Sequence, residues 1–359
     1  MNMKKFALYP FTDQYQLLNS PILKDGRIQY IIPALLWTDR VVDAINRNNY
    51  DVDVLLESRV NFNLLDVLVV LPISDVQYEN SLVEFIYDAI DHNIEVYCYH
   101  NFKTLDIGRL IKHDNFTNKI QASFCPADAD TPKDKLEINA PVIFNFSLID
   151  GYYHSEVDLF LYNKLKGLGA SVGLISCNPL ADLYGGICFP ITILYEQNFT
   201  TVKNWAIKFF SSFEQQYHPD VIIISLQESI NPLPFGDNVM PFANCLLSSM
   251  ISSDYKILSM YGKNMMDESI NWILSKIKCL IGDIDSTVLL DIVYDVDDDG
   301  NYLYYRCDEF DSHNMYNTLK HSTDFIYPID MYNSLEKLVQ RVLLKITRER
   351  KKQEYERYL

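Results

Sequence analysis

The chain has 359 residues, 48% of them hydrophobic and 22% charged, a balance that builds buried cores and excludes a disordered or fibrous polymer. Forty-eight acidic against 31 basic residues give a formal charge of −17, whose field repels nucleic acid and anionic membrane and favours cationic or cysteine-rich peptides as partners. Asp13 interrupts the only signal-peptide-like stretch, and no apolar run reaches the roughly 18 residues of a membrane span, so a cytoplasmic protein is expected. The length suits two domains.

The first half alternates short apolar runs with helical ones. "FALYPF" (6–11), "IQYIIPAL" (28–35), "LDVLVVLP" (65–72) and "IEVYCYH" (94–100) have strand length and no polar face. "SLVEFIYDAIDHN" (81–93) carries apolar residues at 82, 83, 86, 89 and 90, a helical period, with Asn80 or Ser81 available as its cap. Strands buried on both faces and separated by helices imply a parallel α/β sheet of Rossmann or flavodoxin type over residues 1–123.

The pattern dissolves at "FCPADADTPKDKLEINAP", so 124–141 is expected to be a linker. A second α/β domain is expected over 142–359, with strands at 142–146, 171–175, 220–225, 256–260 and 288–294. Helices are expected near 155–167, 200–217, 240–252 and 267–277, and a terminal helix opens at Asn333 with Glu336 at capping-box spacing.

The stretch from Val142 to Ser176 reads strand, turn, helix, strand, where a nucleotide-binding fold puts its phosphate loop. A P-loop uses glycine amides to wrap phosphates, lysine to neutralise them and a hydroxyl to hold Mg²⁺. Laid on that pattern, Leu148 and Tyr153 replace the glycines, His154 replaces the lysine and only Ser155 matches. Ser155 reads first as the cap of a helix over 156–167, although the helix start could still hold an anion. Ligands of open parallel sheets sit at the carboxyl ends of the strands. Ser147, His154, Ser155, Ser176, Asn178 and Glu228 therefore converge as the candidate ligand edge, with Glu228, at the end of "PDVIIISLQES", the possible metal ligand there. Asp220 lies at the opposite end of that strand, and Gly236 with Asp237 would make a turn near the ligand edge.

Two further patterns tempt. "DVDDDGNYLYYR" (295–306) begins like a calcium loop, but Arg306 stands where a bidentate glutamate is required, so Asp299-Gly300 reads as a hairpin turn. Cys177 and Cys188 fit no metal spacing, and the seven scattered cysteines, without a CxxC pair, read as buried thiols; no metal site is expected. GxSxG, HExxH and GxGxxG are absent, against the common hydrolases, proteases and dehydrogenases.

"FALYPFTD", "VNFNLLDVLVVLP", "LGASVGLISCNPLADLYGGICFP", "HPDVIIISLQES" and "SSDYKILSMY" together resemble clostridial peptide-maturation system proteins, which are encoded beside Cys-rich peptide precursors and radical SAM maturases. In that family the loop after the second domain's first strand is Gly-rich with a lysine, and a Gly-Gly pair follows "PDVIII"; His154 and "SLQESINP" stand there instead. The resemblance implies a second domain of SIMIBI-type nucleotide-binding fold with a degenerate P-loop. It also implies an accessory protein that binds the peptide precursor or a maturation enzyme, alone or as a homo- or hetero-oligomer, with no cofactor. The alternative is a peptide-modifying enzyme using ATP or GTP with Mg²⁺, or one using His154 and Glu228 as acid–base groups.

Overall fold

A computed structural model describes residues 4–11, 27–33, 42, 52–72, 78–102, 107–119, 138–148, 154–189, 199–230, 242–261, 267–290, 292–296, 302–306, 326–328 and 332–357. The chain divides into two compact units, Met1–Cys125 with Pro179–Pro190, and Pro126–Asn178 with Ile191–Leu359. The expected linker falls, up to residue 137, outside the described residues.

The first unit holds strands β1 (Phe6–Phe11), β2 (Ile28–Pro33), β3 (Asp53–Val54), β4 (Val67–Val70), β5 (Glu95–Cys98) and β6 (Phe116–Asn118), with helix α1 (Glu79–Asp91) between β4 and β5. Their order is β3-β2-β1-β4-β5-β6 and every ladder is parallel. This is the doubly wound order, with its switch point between β1 and β4. The all-apolar β4 is buried on both faces, as a central parallel strand must be. Helix α1 starts earlier than expected: Tyr78 is the N-cap, without a side-chain cap bond, and Asn80 and Ser81 lie inside the helix. Glu79 is buried in the first turn and faces His100 at 3.4 Å. Tertiary contact, rather than a local cap, sets this helix end.

The second unit continues with β7 (Val142–Ser147), α2 (Ser155–Gly167), β8 (Val172–Ser176), α3 (Phe199–Tyr217), β10 (Val221–Ser229), α4 (Phe242–Met250), β11 (Tyr255–Tyr261), α5 (Asp267–Ile281) and β12 (Ser286–Leu290), while the short β9 (Ile187–Cys188) lies in the Pro179–Pro190 segment of the first unit. Then come β13 (Ile292–Val296), β14 (Tyr302–Arg306), β15 (Ile326–Pro328) and α6 (Tyr332–Arg357). The sheet order of the second unit is β15-β12-β11-β7-β10-β8, and all these ladders are parallel. The fold class is thus the expected one, two α/β units built on parallel sheets.

The single strand expected at 288–294 is two. β12 belongs to the sheet, while β13 pairs antiparallel with β14. That pairing makes 292–306 the hairpin read from Asp299-Gly300, and the turn itself lies outside the described residues. Glu336, placed in a capping box by its spacing, pairs instead with Lys164 of α2. Cys98, Cys177 and Cys188 are buried thiols as expected, but Cys279 on α5 is exposed. No helix among the described residues is long and apolar enough to cross a membrane.

Candidate functional site

β7 is central in its sheet, flanked by β10 and β11. Side chains alternate across a strand, so Phe144 and Phe146 share one face, where their rings stack at 5.2 Å. Asn145 and Ser147 share the other, toward α2. The register sets Ser225 of β10 beside Asn145, and Ser176 of β8 beside Ser225. On the other flank Ser259 of β11 pairs with Ser147. A layer of polar side chains therefore crosses the carboxyl half of four adjacent strands, and each of them is at most 4% exposed.

Hydrogen bonds tie this layer to the first turn of α2. Asn145 Nδ2 donates to Asp158 Oδ1 at 2.8 Å and to the His154 carbonyl at 3.4 Å, while Asn145 Oδ1 accepts from Ser259 Oγ at 2.9 Å. A second strand of the network runs through Asn178, whose Nδ2 donates to Ser155 Oγ at 3.1 Å and whose backbone N–H donates to Ser176 Oγ at 3.1 Å.

Five of the six residues singled out at this edge are described, and they are buried at the β7–α2 end of the sheet: Ser147, His154, Ser155, Ser176 and Asn178. Ser155, Ser176 and Asn178 touch directly. Ser147 lies on the Asn145 face and takes the Ile230 N–H on its carbonyl at 2.8 Å. Glu228 belongs to the end of β10, but its side chain lies outside the described residues. Ser155 is not the helix cap. His154 holds that position, its carbonyl accepting the Val157 N–H at 3.0 Å, and Ser155 is the first helical residue with its hydroxyl turned to Asn178.

The ionisable groups run opposite to a phosphate site. Burial pushes the His154 imidazole down to about 4, partly offset by its hydrogen bond to the Leu226 backbone, so the ring is neutral near pH 7. The register between β10 and β7 slips between Ser225 and Ser229, which takes Leu226 out of the ladder and leaves its backbone for His154. Burial pushes the Asp158 carboxyl up to about 7, against hydrogen bonding from the Ser225 hydroxyl and from Asn145. The first turn of α2 thus carries two acids, Glu156 and Asp158, and no cation. Two carboxyl groups outweigh the roughly half positive charge that a helix dipole offers an anion.

Sequence reading missed Asn145, Asp158, Ser225 and Ser259. The available signal was a polar residue inside each continuous apolar run: "VIFNF", "VIIIS" and "KILSM". Among the described residues no group of three His, Cys, Asp or Glu side chains could hold a metal ion.

No family model and no curated protein matches the sequence. Among solved structures, a DUF1611 family protein from Anabaena variabilis is similar in fold, with a TM-score of 0.60 at 11% identity over 95% of this chain and 99% of that one. The chloroplast FtsY of Physcomitrella patens matches over 77% of each chain at 12% identity, with a TM-score of 0.29 too low to bear on the fold.

Proposed function

We propose that this chain is an accessory binding protein in the maturation of a ribosomally synthesised peptide, holding the precursor or a maturation enzyme rather than hydrolysing a nucleotide. One observation carries the reading: the position that a phosphate loop gives to lysine is held by His154, 2% exposed and neutral, beside the acid Asp158. A triphosphate brings several negative charges and needs fixed cations and free amides. Here it would meet carboxyl groups, and no Lys or Arg stands between residues 142 and 163. The family resemblance of the sequence supplies the pathway, and the charge of −17 suits a cationic client.

The experiment has two arms. Thermal unfolding with Mg²⁺-ATP or Mg²⁺-GTP is expected to show no stabilisation, whereas a bound nucleotide at hundredfold saturation would add about 2.7 kcal/mol. Affinity purification of the tagged chain with the products of its neighbouring genes is expected to retain a peptide precursor or a maturase. A nucleotide shift, or a chain that retains neither, overturns the reading.

A further inference from the structure

Residues 179–190 belong by contact to the first unit, while the chain on either side of them belongs to the second. The segment opens with a 3₁₀ helix, Pro179–Tyr184, and its Leu180, Ala181 and Phe189 are buried. Asp182 is its anchor. One carboxylate oxygen accepts the Tyr99 hydroxyl at 2.6 Å and lies 3.6 Å from the Lys119 ammonium, and the other accepts the Cys188 N–H at 2.6 Å. Tyr99 and Lys119 directly follow β5 and β6, so the anchor holds the carboxyl ends of two neighbouring strands. The Arg27 guanidinium adds a second hold, donating to the Leu183 carbonyl at 3.1 Å.

Asn178, the residue just before the segment, is anchored in the second unit. Its side chain donates to Ser155 Oγ at 3.1 Å and its backbone N–H donates to Ser176 Oγ at 3.1 Å. Only Pro179, Leu180 and Ala181 separate Asn178 from Asp182. A 3₁₀ helix rises about 2.0 Å per residue, so about 8 Å of wound backbone joins the two anchors. Pro179 has a fixed φ and restricts Asn178 before it, which removes slack at the junction. Leu180, 1% exposed, holds the middle of the connection in the interior. Neither anchor moves far without pulling on the other.

We propose that residues 178–182 are a rigid coupler: the polar edge at Ser155, Ser176 and Asn178 and the carboxyl end of β5 at Tyr99 open and close together, although they belong to different units. A ligand that occupies or reshapes either edge therefore changes the order of the other, and the effect is reciprocal. The coupler acts whichever function the edge serves, so it does not rest on the peptide-binding role.

The test is peptide-resolved amide hydrogen exchange on the full chain. Tyr99→Phe removes the hydroxyl that Asp182 accepts and keeps the ring. It is expected to speed exchange by about threefold or more over residues 155–159 and 174–178, with β11 and β12 unchanged. Ser155→Ala removes the acceptor of the Asn178 side chain. It is expected to speed exchange at β5 by about threefold or more, with β2, three strands away, unchanged. Because both substitutions break one element, the double variant is expected to fall short of the product of the single factors. Asp182→Asn, which keeps one acceptor oxygen, replaces Tyr99→Phe if that variant does not fold. Effects confined to the unit that carries each substitution overturn the coupler, as do single factors that multiply in the double variant. Acceleration that reaches the control strands equally also overturns it, since that is a loss of global stability.

Discussion

Asp158 and His154 pull the stability of the second unit in opposite directions as pH changes, and Asp158→Asn exposes this. Burial lifts Asp158 from 3.8 to about 7, so the folded protein keeps a proton that the unfolded chain releases. Stability from this group is full near and below about pH 4 and is lost as pH rises to about 7. At about 1.4 kcal/mol per tenfold change in proton affinity, the loss is on the order of 4 kcal/mol. Burial lowers His154 from 6.5 to about 4, so the unfolded chain takes up a proton that the folded one refuses. Its contribution is full above about pH 6.5 and is lost as pH falls toward about 4, on the order of 3 kcal/mol. Between those limits the two slopes nearly cancel in the wild type.

Asp158→Asn removes the titration while keeping an acceptor for Asn145 Nδ2. Every other group titrates alike in the two proteins, so their difference isolates Asp158. The variant is expected to gain on the wild type by on the order of 4 kcal/mol between about pH 4 and pH 7. Urea unfolding followed by circular dichroism, in buffers free of amines, measures it. A difference that stays flat over that range refutes burial as the cause of Asp158's high proton affinity.

Three other substitutions test the frame. Asn145→Leu strands Asp158 Oδ1 and Ser259 Oγ in the interior and should cost about 3 kcal/mol, seen as a lower urea midpoint. Gly173→Ala sets a methyl carbon 2.6 Å from Phe213 Cζ of α3, and should destabilise by about 1–3 kcal/mol. Phe213→Leu in the same chain should recover part of that loss; no recovery would mean the ring is not what the methyl meets. In the first unit, Asp182 accepts the Tyr99 hydroxyl at 2.6 Å and the Cys188 N–H at 2.6 Å. Asp182→Ala should therefore cost about 2 kcal/mol and speed amide exchange at β5, because a buried phenol is left unpaired.

Strands were legible wherever burial on both faces made a continuous apolar run, as in "LDVLVVLP" around β4. β3 and β6 carry no such run, because two and three residues leave no period to detect. Helix starts were less legible, since capping residue types locate an end only to within a residue or two. One residue mattered: with the cap at His154 instead of Ser155, the serine hydroxyl becomes a buried partner of Asn178. Ser176 and Asn178 could be placed because they stand where β8 ends, and Ser155 because it opens α2. Asn145, Ser225 and Ser259 could not, because what joins them to Asp158 is register across strands distant in sequence.

That register also bears on whether the missing lysine alone explains the missing phosphate grip. If it did, His154→Lys should restore nucleotide binding. The geometry says otherwise. The new ammonium would sit on the first turn of a helix that also carries Glu156 and Asp158, the latter held in place by Asn145. A carboxylate one turn along the same helix is close enough for an i,i+4 pair, which would claim such a cation before a phosphate does and present no net charge to an approaching anion. His154→Lys is therefore expected to be at least as stable as the wild type at neutral pH, with the lysine satisfied by Asp158, and to show no thermal shift with Mg²⁺-ATP. Stabilisation by Mg²⁺-ATP in this single variant would mean that the acids of α2 do not govern the site, and that one lost cation separates this chain from a nucleotide-binding protein.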